Sequence, residues 1–322
     1  MTMAETLQVQ VKSVSHEADG ILLFEFRPVP PLMQLPVFSA GAHIDLQLPN
    51  GLIRSYSLIS MPGGVHHYVI GVNKDPHSRG GSLYVHERMR PGDVITISHP
   101  RNNFPLEEDA DHSVLVAGGI GITPLWSMIQ RLETLGRSWE LYYAARSRRN
   151  AAFLQELRLL SDVHPAKVHL SFSEEPGGAM LDLVKIVAVA PSAAHLYCCG
   201  PVPMIEAFEK AAAGRPPARV HTEFFAAREK PDMAGGFTVE LARSGMIVSV
   251  ATGKTILDAL LDAGVNAPYS CQEGICGTCQ VNVLGGIPDH RDLVLSEAER
   301  ADNKTMLICC SGSKSDRLVI DL

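Results

Sequence analysis

The sequence has no excess of positive charge. Its 322 residues include 28 Lys and Arg against 35 Asp and Glu, which gives a formal net charge of −7. Proteins that bind nucleic acids or anionic membrane surfaces rely on clustered basic residues. We therefore expect the partners to be small molecules or another protein, with neither nucleic acid nor membrane among them.

Long apolar runs and targeting segments are also missing. The uncharged stretch from Ser113 to Gln130 has nearly the length of a membrane span, but it contains three glycines and Pro124, which would break a helix. The first residues show no basic segment followed by an apolar one, as a secretory signal would. The sequence thus predicts a cytoplasmic protein.

Cysteine is scarce, and its distribution is uneven. An odd count of seven in a cytoplasmic chain argues against a disulfide framework. Cys271, Cys276 and Cys279 form the pattern C-x4-C-x2-C, and Cys309 follows after 29 intervening residues. This is the plant-type spacing for the ligands of a [2Fe–2S] cluster.

Two alternatives to this ligand set are weighed. A zinc site would normally show a second C-x2-C pair or Cys/His mixtures, and a Rieske centre needs two histidines in place of two cysteines; neither pattern occurs. Zinc remains the less favoured metal. Cys310 is the alternative to Cys309, and we favour Cys309 because neighbours on an extended segment point in opposite directions.

The order of the segments predicts a multidomain protein. Short β-branched segments between Pro, Gly and Asn turns indicate an antiparallel β-barrel over residues 1–110. Strands then alternate with helices over residues 111–227, which indicates an α/β domain with a parallel sheet. Residues 228–236 read as a linker, and an α+β domain follows over residues 237–322.

Two glycine-containing turns of the α/β region are candidates for nucleotide binding. The stretch "VLVAGGIGITP" is a buried strand running through Gly118, Gly119 and Gly121 into a helix, whose exposed amides favour a pyrophosphate. Further on, "YCCGP" ends another buried strand with Cys199 and Pro201, at the edge where such sheets bind ligands. One glycine-containing turn alone is weak evidence of nucleotide binding, but the presence of the second turn strengthens that evidence.

The barrel region contains two polar motifs. In "RSYSL", residues 54–58, a guanidinium, two hydroxyls and a phenol lie on an otherwise apolar strand, which suits a ring with polar edges and a phosphate. The stretch "RGGS", residues 79–82, precedes a predicted helix and has the form of an anion site. A plain surface loop is the alternative for the second motif.

Together these motifs resemble the ferredoxin–NADP⁺ reductase superfamily over residues from about 5 to 228. With the cysteine pattern near the carboxyl end, the entire chain resembles the phthalate dioxygenase reductase family, including the reductases of vanillate O-demethylases. The resemblance implies FMN, NADH and one [2Fe–2S] cluster, and a ferredoxin-like β-grasp fold for the last domain. It also implies a separate Rieske-type oxygenase as the electron acceptor.

The same resemblance implies roles for individual residues. The cluster ligands would be Cys271, Cys276, Cys279 and Cys309. The flavin-binding residues would be Arg54, Ser55, Tyr56, Ser57, Gly71, Val72, Asn73, Arg79, Gly80, Gly81, Ser82, Thr123 and Phe225. The NAD-binding residues would be Gly118, Gly119, Gly121, Thr123, Pro124, Arg146, Cys199, Gly200 and Pro201, with Cys199 as the catalytic residue beside the nicotinamide.

Electron counting supports this order of cofactors. A nicotinamide gives two electrons, a cluster accepts one at a time, and a flavin can do both. Arg146, Arg148 and Arg149 leave NADPH open as the donor beside NADH. A reductase for a cytochrome P450 or other monooxygenase, and a redox-sensing module that is not an enzyme, are the competing functions.

The net charge of the last domain predicts how it docks onto its partner. Residues 237–322 carry 7 basic and 11 acidic side chains, a net charge of −4. The sequence therefore predicts docking onto a basic patch of the partner, weakened by salt. A monomer is expected, since the cluster must reach that partner.

Overall fold

The computed structural model describes residues 6–322 except 77, 79, 165, 166 and 229. The chain divides into two compact units, the first ending at Phe224 and the second comprising Phe225–Leu322. None of the helices within the described residues is long and apolar enough to cross a membrane. The first unit holds an antiparallel and a parallel sheet, and the second holds a mixed sheet, so the predicted multidomain fold class is confirmed.

The antiparallel sheet has six strands in the order β4-β3-β6-β1-β2-β5. Its elements are β1 (Thr6–Ala18), β2 (Ile21–Pro28), β3 (His43–Gln47), β4 (Ile53–Ser57), β5 (Tyr68–Asn73), helix α1 (Gly81–Arg88) and β6 (Val94–Ser98). A bridge between Leu58 and Ile70 joins the two outer strands. Side chains of alternate residues, such as Phe24 and Phe26 of β2, are fully buried inside.

The parallel sheet has five strands in the order β11-β10-β7-β8-β9. Its elements are β7 (His112–Gly118), α2 (Ile122–Leu135), β8 (Ser138–Ala145), α3 (Leu154–Val163), β9 (Val168–Phe172), α4 (Leu183–Val189), β10 (His195–Gly200), α5 (Val202–Ala212) and β11 (Val220–Phe224). The chain runs outward from β7 to β9 and then returns to place β10 on the other side of β7. This reversal opens a crevice at the carboxyl ends of β7 and β10.

The barrel and the parallel sheet share an apolar core within the first unit. Phe104, which follows the barrel, meets Tyr197 of β10 edge-to-face, with ring centroids 5.8 Å apart. The side-chain amide of Gln130 on α2 donates to the carbonyl oxygen of Ile59 over 2.8 Å. The position of the barrel against α2 and β10 is thereby set by both apolar packing and hydrogen bonding.

The second unit contains a five-stranded mixed sheet in the order β13-β12-β18-β14-β16. Its elements are β12 (Phe237–Leu241), β13 (Ile247–Val250), α6 (Ile256–Asp262), β14 (Gln280–Gly285), β15 (Pro288–Asp289), α7 (Glu297–Asp302), β16 (Thr305–Leu307), β17 (Gly312–Ser313) and β18 (Arg317–Ile320). Helix α6 starts with a capping box between Thr255 and Asp258, which satisfies two free amides at the helix start. Helix and sheet enclose one apolar core.

The end of the predicted linker is hydrogen-bonded to this second unit. The amide of Asp232 donates to the carbonyl oxygen of Cys310 over 2.8 Å, and the amide of Gly236 donates to that of Val250 over the same distance. The linker segment therefore includes residues that pack as part of the last domain. The exact domain boundaries stay a prediction.

Candidate functional site

Two loops meet in the crevice at the carboxyl ends of β7 and β10. Gly118 ends β7, a 3₁₀ turn covers Gly119–Gly121, and α2 begins at Ile122. Beside it, β10 ends at Gly200, and Pro201 caps the start of α5. The structure thus brings together the two glycine-containing turns that the sequence separates by about eighty residues.

Three glycines allow these loops to touch. A Cβ atom on Gly121 would lie 2.5 Å from the carbonyl carbon of Cys199, and one on Gly118 would lie 2.7 Å from Cδ of Pro201. A Cβ on Gly200 would lie 3.1 Å from the Cα of Gly118. Gly119 differs, because it has φ +55° and open space where its Cβ would be. The close contacts shape the crevice, and the backbone at Gly119 is open to a ligand.

Cys199 lies at the end of β10, fully buried on the face that packs against α2. Burial raises the pKa of its thiol well above the ordinary value, so the thiol stays neutral. Cys198, next to it, is buried as well, as expected for a packing residue. The assignment of Cys199 to the nicotinamide end stays a prediction.

Glu223 is a functional candidate that the sequence reasoning missed. It pairs with Cys199 across the β10 and β11 ladder, and its Oε2 atom is buried with no hydrogen-bond partner among the described residues. Burial raises the pKa of this carboxyl to about 8. The sequence did contain a signal for this residue: in "HTEFF" an acidic residue stands near the end of a buried strand.

The arginines after β8 differ in their surroundings. Arg146 is exposed directly after the strand, at the same edge of the sheet as the two glycine turns. Arg148 is engaged in other contacts. Its Nε lies 3.1 Å from Oε2 of Glu175, and its guanidinium stacks over the ring of Phe172. Of these two, Arg146 is therefore the better placed to meet the adenosine end of a dinucleotide.

On the barrel, Arg54 of β4 lies against the amino end of α1. A Cβ on Gly81 would come within 2.6 Å of the Arg54 Nε, so the guanidinium occupies the space that a side chain would fill. Gly80, with φ +92°, turns the chain into the helix. A cation beside the free amides of a helix start is suited to a phosphate group, and these residues fit the phosphate of a flavin nucleotide.

The other residues of β4 have different environments. The ring of Tyr56 is half-buried against the barrel core, and burial raises the pKa of its phenol. The Ser55 hydroxyl donates to Oδ1 of Asp45 over 2.6 Å, and Asp45 also pairs with Arg101. Ser55 is thus engaged in an internal polar network. Ser57 is buried at the end of the strand.

Strand β5 brings the barrel to the nucleotide loop. A Cβ on Gly71 would lie 3.0 Å from Cγ2 of Thr123, so the glycine lets β5 approach the first turn of α2. Thr123 is buried and donates to the carbonyl oxygen of Ile120, and Pro124 follows in the same turn. Gly71, a proposed flavin residue, therefore lies against Thr123 of the nucleotide loop.

The remaining predicted flavin residues differ in their surroundings. Val72 is fully buried, so it can offer a ligand only its backbone, whereas Asn73 is exposed at the strand end. The hydroxyl of Ser82 accepts from the amide of Asp75. Arg79 lies outside the described residues. Phe225 begins the second unit and is 37% exposed, and its role at the flavin stays a prediction.

The four cysteines of the pattern lie buried in the second unit. The electrostatic interactions that shift their pKa values are strongest between Cys271 and Cys276 and between Cys279 and Cys309. Interaction with Cys271 lowers the pKa of the Cys276 thiol, and interaction with Cys279 lowers the pKa of the Cys309 thiol.

Backbone amides of the cysteine loop point at these sulfurs. The amide of Glu273 donates to Sγ of Cys271 over 3.3 Å. Gly274 and Gly277 have φ +71° and +75°, which glycine adopts without strain. The loop thus supplies the hydrogen-bond donors that a charged iron–sulfur cluster requires.

The number and spacing of the cysteines bear on the metal. A zinc site normally shows a second C-x2-C pair, whereas the plant-type pattern with one distant fourth cysteine serves a two-iron cluster. The four buried cysteines therefore fit [2Fe–2S].

Two family models match the chain. The model for a 2Fe-2S iron-sulfur cluster binding domain matches residues 239–313, and that for an oxidoreductase NAD-binding domain matches residues 115–210. The NAD-binding match includes both glycine turns, and the cluster match includes all four cysteines.

Close relatives cover the whole chain. The chain is 56% identical to the phenoxybenzoate dioxygenase subunit beta of Ectopseudomonas oleovorans, over 100% of this chain and 98% of that protein. It is 50% identical to the tetrachlorobenzoquinone reductase of Sphingobium chlorophenolicum, over 98% of both proteins. It is 44% identical to the vanillate O-demethylase oxidoreductase of a Pseudomonas strain, over 89% of this chain and 91% of that protein.

Two solved structures are similar throughout. Phthalate dioxygenase reductase, described as a modular structure for electron transfer from pyridine nucleotides to [2Fe–2S], superposes with a TM-score of 0.75 at 36% identity over 98% of both chains. An intact type IV self-sufficient cytochrome P450 monooxygenase superposes with a TM-score of 0.85 at 37% identity. That match covers 100% of this chain and 42% of the monooxygenase chain.

The fold and the site define an NAD-dependent iron–sulfur oxidoreductase of the electron-transfer class. Its nucleotide turn and its cluster loop lie in separate units of one chain. The chain belongs to the phthalate dioxygenase reductase family, as its motifs indicated.

The contact at Gly121 generates a first prediction. In Gly121→Ala the new methyl group would meet backbone atoms of Cys199 and Gly200, which cannot move without displacing the end of β10. We expect a loss of about 1–3 kcal/mol of stability and weaker NADH binding, measured by thermal unfolding and by titration with NADH. Gly214→Ala is the control, since nothing lies within 4 Å of its Cβ position. Equal behaviour of the two variants would show that the loops do not depend on this contact.

Glu223 generates a prediction about pH. Its usual pKa is 4.5, and burial raises the pKa to about 8, so the folded chain holds a proton that the unfolded chain releases. The stability from this group is complete below pH 4.5 and falls as the pH rises to about 8. Glu223→Gln removes the titration, so its Tm relative to the parent should rise by a few degrees between pH 5 and pH 8.5. The same trend in exposed Glu174→Gln would refute this account.

Proposed function

We propose that this chain takes electrons from NADH and delivers them, through bound FMN and its [2Fe–2S] cluster, to a separate Rieske-type oxygenase or demethylase. Relatives are reductases or subunits of oxygenase systems, which supports a separate acceptor protein. A monomeric state and a cytoplasmic location, expected from the sequence, stay predictions.

The observation that carries the proposal is that one chain holds four buried cysteines with plant-type cluster spacing and a nucleotide turn. A two-iron cluster accepts single electrons, whereas a nicotinamide gives two. A bound flavin supplies the conversion between the two. The product of this sequence of cofactors is a one-electron donor, which is what an oxygenase needs.

The residues of the first unit have separate tasks in this proposal. Arg54 and the free amides at the start of α1 hold the flavin phosphate, and Tyr56 packs on the ring. Gly119 leaves the backbone open to the pyrophosphate of the dinucleotide. Thr123 and Cys199 are buried, so they would support the nicotinamide end of the crevice from within the core.

Charge supports docking through the second unit. All seven basic residues of span 237–322 form ion pairs within that unit. They are Arg243, Lys254, Arg291, Arg300, Lys304, Lys314 and Arg317. Acidic side chains such as Glu297 and Asp316 are exposed. The surface left by this pairing is acidic, which favours a partner with a basic docking patch.

The electron route generates a prediction for the cluster loop. Cys276→Ser removes a proposed ligand and should lower NADH-dependent reduction of cytochrome c at least about tenfold, while NADH-dependent reduction of ferricyanide continues. Both rates are followed by absorbance, with iron and sulfide measured in each preparation. Cys198→Ala, a buried cysteine outside the loop, should keep both rates. If the Cys276→Ser variant lacks cluster iron but reduces cytochrome c as fast as the parent, the cluster is not part of the electron route. If the parent protein itself shows no sustained NADH turnover, a sensing module is favoured.

A cytochrome P450 is the second candidate acceptor, because the chain superposes on part of a self-sufficient P450 monooxygenase. Stopped-flow mixing of the NADH-reduced protein with a Rieske-type oxygenase and with a P450 distinguishes the two. We expect reduction of the Rieske cluster, with a rate that falls as salt rises because the docking surface is acidic. Faster reduction of the P450 haem would favour the second candidate, and a rate that does not depend on salt would contradict acidic docking.

A further inference from the structure

A buried carboxylate lies behind the strand that carries the proposed flavin residues Arg54 and Tyr56. Asp45 of β3 is only 4% exposed, and it pairs with Ser55 of β4 in the antiparallel ladder. Its Oδ1 atom accepts the Ser55 hydroxyl over 2.6 Å. Because side chains alternate between the two faces of a strand, this contact lies on the face of β4 opposite to Arg54 and Tyr56. The Ser55 hydroxyl is thus directed away from the proposed flavin side.

A distant part of the chain holds Asp45 in turn. The guanidinium of Arg101, which follows β6, lies 2.5 Å from Oδ2 of Asp45. The amide of His43 donates to the Arg101 carbonyl oxygen over 2.8 Å, and the Arg101 amide donates to the His43 carbonyl oxygen over 3.0 Å. The amide of Asp45 donates to the Ser98 hydroxyl over 2.9 Å. Backbone contacts therefore fix both partners of the ion pair.

Strand β4 needs such an anchor because it is an edge strand. Within the described part of the chain, its ladder hydrogen bonds go to β3 alone. A buried carboxylate has lost its hydration, and its ion pair and hydrogen bonds must replace the lost water. Movement of Ser55 away from Asp45 would leave this charge short of a donor. The bond to Ser55 is charge-assisted, so it restrains β4 more strongly than a neutral hydrogen bond would.

A strand that is held at one residue also holds the two neighbours of that residue. Arg54 lies at the start of α1, and Tyr56 lies against the barrel core. We propose that Asp45 and Ser55 are positioning residues for the flavin. Their bond fixes β4, so that Arg54 and Tyr56 keep the places where they meet the flavin phosphate and the flavin ring. The inference rests on the flavin site of the proposed function, and it replaces the predicted direct contact between Ser55 and the flavin.

The test is the rate at which the full-length, flavin-loaded protein releases FMN after dilution, followed by the fluorescence of the free flavin. Ser55→Ala removes the donor and should release FMN roughly three- to tenfold faster, the effect of one net hydrogen bond. Ser55→Thr keeps the hydroxyl, suits a strand and should release FMN at the parent rate. Ser13→Ala is the matched control, since Ser13 donates to Oε2 of Glu25 on other strands of the barrel, and it should also keep the parent rate.

Two further readouts separate positioning from a general loss of stability. The visible circular dichroism of the bound flavin should change in Ser55→Ala, because Arg54 and Tyr56 shift relative to the ring, and should match the parent in Ser55→Thr. Asp45→Asn removes the charge and should also release FMN faster. Adding Ser55→Ala to Asp45→Asn should then have less effect than Ser55→Ala has alone, because the charge-assisted bond is already lost.

Equal release rates and equal dichroism in the parent and Ser55→Ala would overturn the inference. Additive effects of Ser55→Ala and Asp45→Asn would overturn it as well, because they would make Ser55 a direct flavin ligand. If Asp45→Asn fails to fold, the comparison of Ser55→Ala with Ser55→Thr decides, since equal release from these two variants contradicts a role for the hydroxyl. A parent protein that binds no flavin would overturn the proposed function too, so the two failures are distinguishable.

Discussion

The nucleotide site depends on a contact between two stretches of backbone. The loop after β7 and the end of β10 touch at Gly121 and Cys199 with no side chain between them. Any Cβ at this point would push the loops apart, close the approach to Gly119 and displace the first turn of α2. Because α2 also holds Thr123 against Gly71 of β5, the same contact places the barrel. One steric requirement thus connects the nucleotide crevice to the proposed flavin site.

The cluster loop also depends on glycines that allow close approach, but for a different chemical reason. Its glycines bring amides close to sulfur, which stabilises negative charge, whereas those of the nucleotide turn bring backbone close to backbone. Within the loop, the amide of Glu273 donates to the sulfur of Cys271. Since Asp292, fully buried, accepts from the amides of Val294 and Leu295 behind Gly274, the loop also rests on a segment far away in the chain.

Sequence reasoning succeeded where spacing or periodicity reflects a local rule. The cysteine pattern, the alternation of strands and helices and the glycine turns each have such a rule, and the structure contains the elements they predicted. It was less informative where a residue's role depends on its neighbour across a sheet. Ser55 was predicted to bind the flavin, but its hydroxyl donates to Asp45. Glu223 was not predicted as a site residue, and only the pairing of β10 with β11 places it beside Cys199.

By itself, the sequence determined the fold class, the cluster type and the family, because these follow from the order and spacing of residues along the chain. The tertiary structure alone decided which groups face each other: that the Cys310 sulfur fills the space over Gly274, that Arg54 fills the space over Gly81, and that two distant glycine turns share one crevice. Spacing constrains what a segment can form, but long-range packing selects each neighbour, and electrostatics depend on those neighbours.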